Sequence, residues 1–105
     1  MIPAYIGIGS NLGDKRNNCL KALEMLGQIP GCELIARSDL YLTKPVGVEG
    51  QDWYVNGVAS ISTSTSAQKL LKGLLVIESG MGRMRNKRER WASRIIDLDL
   101  SLIHI

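Results

Sequence analysis

The sequence contains no phenylalanine, one histidine and two cysteines among its 105 residues. A single histidine, His104 near the C-terminus, argues against a Ser-His-Asp or Cys-His mechanism and against a His-rich zinc site. Cys19 and Cys32 form no C-x-x-C motif, so they predict buried, reduced thiols rather than a metal site or a redox pair. The chemistry of this protein therefore has to come from other side chains.

The sequence also lacks the long apolar runs and the nucleotide motif of several large protein classes. No apolar run approaches the length of a membrane span, and residues 1–5 lack the basic and apolar regions of a signal peptide. A G-x-x-x-x-G-K-[ST] motif is absent, which excludes a P-loop site. With 45% hydrophobic and 22% charged residues, the chain resembles an average globular protein. We expect one folded domain in the cytoplasm.

Basic residues are concentrated in one part of the chain, although the net charge is only +3. Six of the thirteen fall within residues 83–94: Arg83, Arg85, Lys87, Arg88, Arg90 and Arg94. Such a stretch favours an anionic partner. It is compatible with a solvated loop, a nucleic-acid patch or a clamp for polyphosphate. The residues on either side of the stretch are needed to distinguish these alternatives.

Hydrophobic periodicity predicts four strands and two helices. The strands are expected at residues 2–8, 34–41, 54–62 and 96–102, and the first is followed by a glycine-rich turn over residues 7–13. Helices are expected after Asp14 and after Ser66, which serve as N-caps, and Gly80 is expected to end the second helix. This β-α-β-β-α-β order predicts an α+β, ferredoxin-like fold, with two helices on one face of a four-stranded antiparallel sheet.

Asp97 and Asp99 are the strongest chemical feature of the last predicted strand. Residues two apart on a strand share a face, with Cβ atoms about 6.5 to 7 Å apart, while Ile96 and Leu98 point into the core. One or two Mg²⁺ ions would offset the repulsion between the two carboxylates and would find the oxygen ligands that Mg²⁺ prefers. Two solvated acids on a strand face remain the alternative. The adjacent basic stretch favours a site for Mg²⁺ and polyphosphate.

The loop at residues 42–52 is longer than most connections and is followed by Trp53, Tyr54 and Asn56. An aromatic ring beside an amide suits a flat heterocycle, through stacking and hydrogen bonds to its edge. Packing of Tyr54 in the core is the simpler expectation.

Together these segments resemble the 6-hydroxymethyl-7,8-dihydropterin pyrophosphokinase family of folate biosynthesis. The resemblance extends from Tyr5 to Asp99. The matching positions are residues 9–14, Ser38, Tyr41, Thr43, Pro45, residues 51–56, residues 82–85, Arg90, Trp91 and residues 94–99. It implies a transferase that moves the terminal pyrophosphoryl group of ATP to the hydroxymethyl group of the pterin and releases AMP.

The resemblance also implies roles for individual residues. Asp97 and Asp99 would hold two Mg²⁺ ions and, with Arg83 and Arg94, would form the catalytic set. The implied nucleotide-binding residues are Glu78, Arg85, Arg90, Trp91 and Arg94. The implied pterin-binding residues are Thr43, Lys44, Val46, Tyr54, Asn56 and Asp97. The implied partners are ATP and the pterin, without nucleic acid or membrane, and a monomer is expected.

This sequence departs from the family pattern at several positions. Ala92-Ser93 stands where the family usually has Gly-Pro, and Asp52 stands where it has Pro. The family continues for about fifty more residues, so residues 1–99 are expected to form an incomplete pyrophosphokinase-like domain with little or no turnover. Residues 100–105 match the translation of a transposon-end adapter used in sequencing libraries and are expected to be a non-native tail.

A nucleic-acid-binding module on the same topology is the competing hypothesis. RNA-binding domains of this shape carry aromatic residues, Phe among them, on a strand of the sheet face. The last strand of this chain carries Asp97 and Asp99 instead, which disfavours that hypothesis.

Overall fold

The fold is an antiparallel sheet with two helices packed against one face. The computed structural model describes residues 2–44, 53–82 and 95–102. The elements in these ranges are β1 (Ile2–Ser10), α1 (Lys15–Leu26), β2 (Cys32–Arg37), β3 (Tyr41–Thr43), β4 (Tyr54–Thr63), α2 (Ala67–Gly80) and β5 (Asp97–Leu102). The strands lie in the order β2-β4-β1-β5, and β3 also pairs with β4. All pairs are antiparallel, so the predicted ferredoxin-like α+β arrangement is confirmed.

The number of strands differs from the prediction, because the described residues contain five strands rather than four. The single strand predicted at residues 34–41 is divided into β2 and β3, which lie along the same edge of β4. Arg37 pairs with Ala59 and Tyr41 pairs with Asn56, so one extra residue is accommodated between the two strands. This bulge interrupts the regular alternation that the sequence predicts.

Ser38 connects β2 to β3, and its side-chain oxygen takes the place of a backbone carbonyl in the pairing with β4. Its backbone N–H donates to the Val58 carbonyl at 2.8 Å, and the Val58 N–H donates to Ser38 Oγ at 2.9 Å. Gly57 makes this arrangement possible, since a Cβ there would lie 2.9 Å from Ser38 Oγ and 3.0 Å from the Asp39 carbonyl oxygen.

We expect Gly57→Ala to destabilise the protein by about 1 to 3 kcal/mol, the usual range for overpacking. The reason is that the new methyl group must displace backbone as well as side chain at the bulge. Urea denaturation measures the free energy of unfolding, with Gly80→Ala as control because a Cβ there has no atom within 4 Å. Equal stability of the Gly57→Ala variant and the wild type would contradict the proposed role of the bulge.

Both helices begin at the predicted caps. The Asp14 side chain accepts a hydrogen bond from the Asn17 N–H at 3.2 Å, and Ser66 Oγ accepts one from the Lys69 N–H at 3.2 Å. The second helix includes Gly80 and is capped by Met81, one residue beyond the predicted stop. The two helices bury Cys19, Ala22, Leu23 and Leu26 from α1, and Leu70, Leu74, Ile77 and Glu78 from α2.

The core lies between the helices and the facing side of the sheet. Alternate residues of the strands enter it, among them Ala4, Ile6, Ile8, Ala59, Ile61 and Leu98, together with Ile96 directly before β5. Within the described residues, neither helix has the length and apolar character that crossing a membrane requires.

Both cysteines are free, as predicted from their spacing. Cys19 is buried, whereas Cys32 is only half-buried, so the expectation of burial is confirmed for Cys19 alone. Burial raises the pKa of the Cys19 thiol to about 11, and the thiol is therefore neutral at pH 7.

Candidate functional site

The sheet face opposite the helices carries a cleft of about 490 Å³. It is lined by Gly7, Ile8, Gly9, Ser38, Tyr41, Tyr54, Asn56, Gly57, Val58, Asp97 and Asp99. These residues come from four strands and from the connection between β2 and β3. Strand register, rather than proximity in the sequence, therefore builds the cleft.

The register places two kinds of side chain on opposite sides of two glycines. Gly9 of β1 pairs with Asn56 of β4 on one side and with Asp97 of β5 on the other. Gly7 likewise lies between Val58 and Asp99. Asn56 and Asp97 are thus two strand spacings apart, about 10 Å. Gly7 and Gly9 thus form the floor of the cleft. Tyr54 and Asn56 lie along one side of this floor, and Asp97 and Asp99 lie along the other.

Asp97 and Asp99 both line the cleft, as their spacing on the strand predicts. Their neighbours Ile96 and Leu98 are buried in the core on the other face. Asp97 is half-buried and Asp99 is exposed. Two oxygen donors side by side on an open face are the chemistry that Mg²⁺ selects.

The described residues contain no group of three or more His, Cys, Asp or Glu side chains that could hold a metal ion. Mg²⁺ does not need such a cage, since it is commonly bound by one or two carboxylates together with substrate phosphates and water. The pair Asp97 and Asp99 therefore fits Mg²⁺ that arrives with a phosphate ligand.

Tyr54 lies on the cleft side of β4, so the expectation that it packs in the core is wrong. A Cβ on Gly9 would lie 3.6 Å from Tyr54 Cδ1, which places the ring beside the glycine floor. Alternation along β4 places Val55, not Tyr54, on the core side, and Val55 packs against the core cluster.

Asn56 is held in place by a neighbour from β3. Its Nδ2 donates a hydrogen bond to Thr43 Oγ1 at 2.8 Å. Because Thr43 pairs with Tyr54 and Tyr41 pairs with Asn56, β3 brings Thr43 to the same end of the cleft. Lys44 follows directly and is exposed.

Glu78 lies on the helix side of the sheet rather than in the cleft. It is 2% exposed, and its Oε2 accepts a hydrogen bond from the Leu98 N–H at 3.0 Å. The structure thus places this residue behind the strand that carries both aspartates. Its implied contact with a nucleotide stays a prediction.

Several predicted site residues lie outside the described residues. They are Val46, Arg83, Arg85, Arg90, Trp91 and Arg94. Their implied roles in pterin and nucleotide binding stay predictions.

The sequence prediction assigned no site role to Gly7 or Gly9. The sequence predicts both in a glycine-rich turn, but β1 continues to Ser10 and both glycines lie within the strand. Only residues 11–14 connect β1 to α1, where Asn18 Nδ2 donates to the Leu12 carbonyl at 2.9 Å. Two glycines separated by one buried isoleucine on a strand are the pattern that could have revealed a floor on one face.

Comparison with known proteins agrees with the resemblance. The family model described as 7,8-dihydro-6-hydroxymethylpterin-pyrophosphokinase matches residues 5–105. The chain belongs to this family. The match includes residues 100–105, and β5 includes Leu100–Leu102, paired with Ala4–Ile6 of β1. The origin of these six residues as a non-native tail stays a prediction.

The pyrophosphokinase relatives include three bacterial proteins named 2-amino-4-hydroxy-6-hydroxymethyldihydropteridine pyrophosphokinase. The one from Methylorubrum extorquens is 42% identical over 100 residues, which cover 95% of this chain and 62% of the relative. The one from Haemophilus influenzae is 42% identical over 102 residues, covering 97% and 62%. The one from Pseudomonas aeruginosa is 39% identical over 98 residues, covering 93% and 59%. The chain therefore spans about three fifths of the length of these relatives.

Proposed function

We propose that this protein transfers pyrophosphate from ATP to 6-hydroxymethyl-7,8-dihydropterin and releases AMP, a step of folate biosynthesis. The observation that carries the proposal is the cleft, in which Tyr54 and Asn56 face Asp97 and Asp99 across a glycine floor. Membership of the pyrophosphokinase family supports the same reaction. We also propose a monomer in the cytoplasm.

The aromatic and amide side of the cleft is suited to the pterin. The Tyr54 ring borders the floor and can stack on a flat heterocycle. The hydrogen bond from Asn56 to Thr43 fixes the plane of the amide, so that the amide meets the edge of the ring in one orientation. Asp97, at the opposite side of the floor, can accept a hydrogen bond from the same ligand.

The carboxylate side is suited to the phosphates of ATP through Mg²⁺. Asp97 and Asp99 would hold the ions, which supply neutralisation of the phosphate charge when they are bound. Phosphoryl-type transfer depends mainly on positioning and on charge stabilisation, so a histidine base is not required. Arg83, Arg85, Arg90 and Arg94 are proposed to neutralise the remaining phosphate charge.

The proposal is tested by incubating the chain with ATP, Mg²⁺ and the dihydropterin alcohol and by measuring AMP. Binding of the pterin and of a non-hydrolysable ATP analogue is measured in parallel by calorimetry. We expect both ligands to bind weakly and AMP, the expected nucleotide product, to form with little turnover. The Haemophilus influenzae relative, assayed alongside, tests the expectation of low turnover. Absence of pterin binding together with absence of AMP would contradict the proposed function.

We expect Tyr54→Ala to lose about 1 to 2 kcal/mol of pterin affinity, because stacking on the ring is removed. Affinity for the ATP analogue should change little, since Asp97 and Asp99 lie across the floor from Tyr54. Calorimetric titration of both ligands measures the difference, and Tyr54→Phe is the control that retains the ring. Equal losses for both ligands would indicate a folding defect instead.

A further inference from the structure

Leu98 is the residue between the two aspartates, and its backbone N–H points away from β1. In an antiparallel pair, consecutive residues alternate between hydrogen bonding to the partner strand and facing outward. Leu98 lies opposite Ile8 in the register, and its N–H donates to Glu78 of α2, so the backbone N–H of Leu98 faces the outer edge of β5. Within the part of the chain that the structure describes, no strand pairs with this outer edge of β5.

Glu78 therefore supplies the acceptor that a further strand would otherwise supply. Its carboxylate is buried with the core residues of α2 and reaches the Asp97–Leu98 peptide group, the first of the two that separate the aspartates. A buried acceptor of this kind restricts how far the strand edge can move, because the alternative is a buried backbone donor without its partner.

We propose that Glu78 is a positioning residue for the two carboxylates of the cleft. By accepting from the Leu98 N–H, it holds the Asp97–Leu98 peptide group in place and thereby positions the two aspartates on either side of Leu98. This inference rests on one part of the proposed function, namely that the two aspartates hold Mg²⁺ together with ATP. It differs from the implied nucleotide contact, because Glu78 acts through β5 and not by touching the ligand.

Two substitutions separate positioning from a direct effect of charge. Glu78→Gln keeps an oxygen acceptor of the same reach and removes the charge, whereas Glu78→Met keeps the length and removes the oxygen. Positioning predicts that Glu78→Gln keeps the Mg²⁺ concentration for half-maximal binding of an ATP analogue within about threefold of wild type. Glu78→Met should raise that concentration by about tenfold or more, as losses of groups supporting metal ligands do. Ile77→Val, a buried neighbour on α2, is the control for a general loss of stability.

Hydrogen exchange of the Leu98 amide, measured by NMR on the protein without ligands, provides a second readout. Protection should be retained in Glu78→Gln and Ile77→Val and should fall by about tenfold or more in Glu78→Met.

Wild-type protection in Glu78→Met would overturn the inference, and so would an equal loss of Mg²⁺-dependent binding in Glu78→Gln and Glu78→Met. If Glu78→Met does not fold, Glu78→Gln decides the question. Wild-type Mg²⁺-dependent binding and wild-type Leu98 amide protection in Glu78→Gln support positioning, and loss of either overturns the inference. A wild-type protein that binds no ATP analogue would instead contradict the proposed function, and amide exchange would still decide whether Glu78 holds β5.

Discussion

Replacing Asp97 or Asp99 by Asn is expected to abolish Mg²⁺-dependent binding of an ATP analogue without changing the fold. Changes to groups that merely support metal ligands already cost about 10- to 100-fold in metal affinity, so loss of a ligand should exceed about 100-fold. Asn is nearly the same size as Asp, and both positions lie on the open face rather than in the core. The repulsion between neighbouring carboxylates also disappears, so stability should be equal or slightly higher.

Calorimetric titration of the analogue at several Mg²⁺ concentrations measures this effect, and thermal unfolding checks the fold. Asp39→Asn is the matched control, because Asp39 is exposed on the connection between β2 and β3 and does not line the cleft. Chelation of Mg²⁺ should reduce binding by wild type and control to the level of the two variants. Wild-type affinity in both variants at every Mg²⁺ concentration would refute the metal role.

The two faces of β5 were predictable because the sequence alternates perfectly there. Ile96 and Leu98 are apolar and Asp97 and Asp99 are charged, so only one orientation of the strand buries the right residues. Burial of one face fixes the other, so the shared face of the two carboxylates follows from local information alone, whereas their position beside Gly9 and Gly7 depends on the pairing with β1.

The division of β2 from β3 was not predictable in this way. The break at Ser38 depends on Gly57, nineteen residues later, which leaves room for the connection. Residues 34–41 alternate well enough for one strand, and nothing local shows that a distant glycine will accommodate an extra residue.

The expectation that Tyr54 packs in the core rests on residue type, because a large aromatic residue is ordinarily expected there. Alternation with the buried Ala59 and Ile61 instead places Tyr54 on the open face of β4. The pairing of β4 with Gly9 and Thr43 gives the ring room on that face.

Glu78 carried a signal in the sequence that the prediction did not use. It follows Leu70 and Leu74 at helical spacing and so falls on the buried stripe of α2. A carboxylate at such a position needs a polar partner. The Leu98 N–H, in a strand twenty residues away, is such a partner, and no pattern within the helix reveals it.

Gly9→Val is expected to keep the fold and to lose pterin binding. The Gly9 backbone does not have positive φ, and a Cβ there would make ordinary contacts, 3.6 Å from Tyr54 Cδ1 and 3.7 Å from Asn56 Cβ. Valine is favoured in strands and glycine is not, so stability should be unchanged or higher. The side chain would nevertheless occupy the floor on which a flat ligand lies.

Overpacking costs about 1 to 3 kcal/mol, and about 1.4 kcal/mol corresponds to tenfold in affinity. We therefore expect pterin affinity to fall by about tenfold in Gly9→Ala and by about 100-fold in Gly9→Val. Calorimetric titration measures both losses, with Gly80→Ala as control because Gly80 does not line the cleft. A stable Gly9→Val variant that binds the pterin as wild type does would show that the ligand does not lie over this glycine. In that case the proposal that the pterin contacts both Asn56 and Asp97 would also be wrong, since Gly9 lies between these two residues.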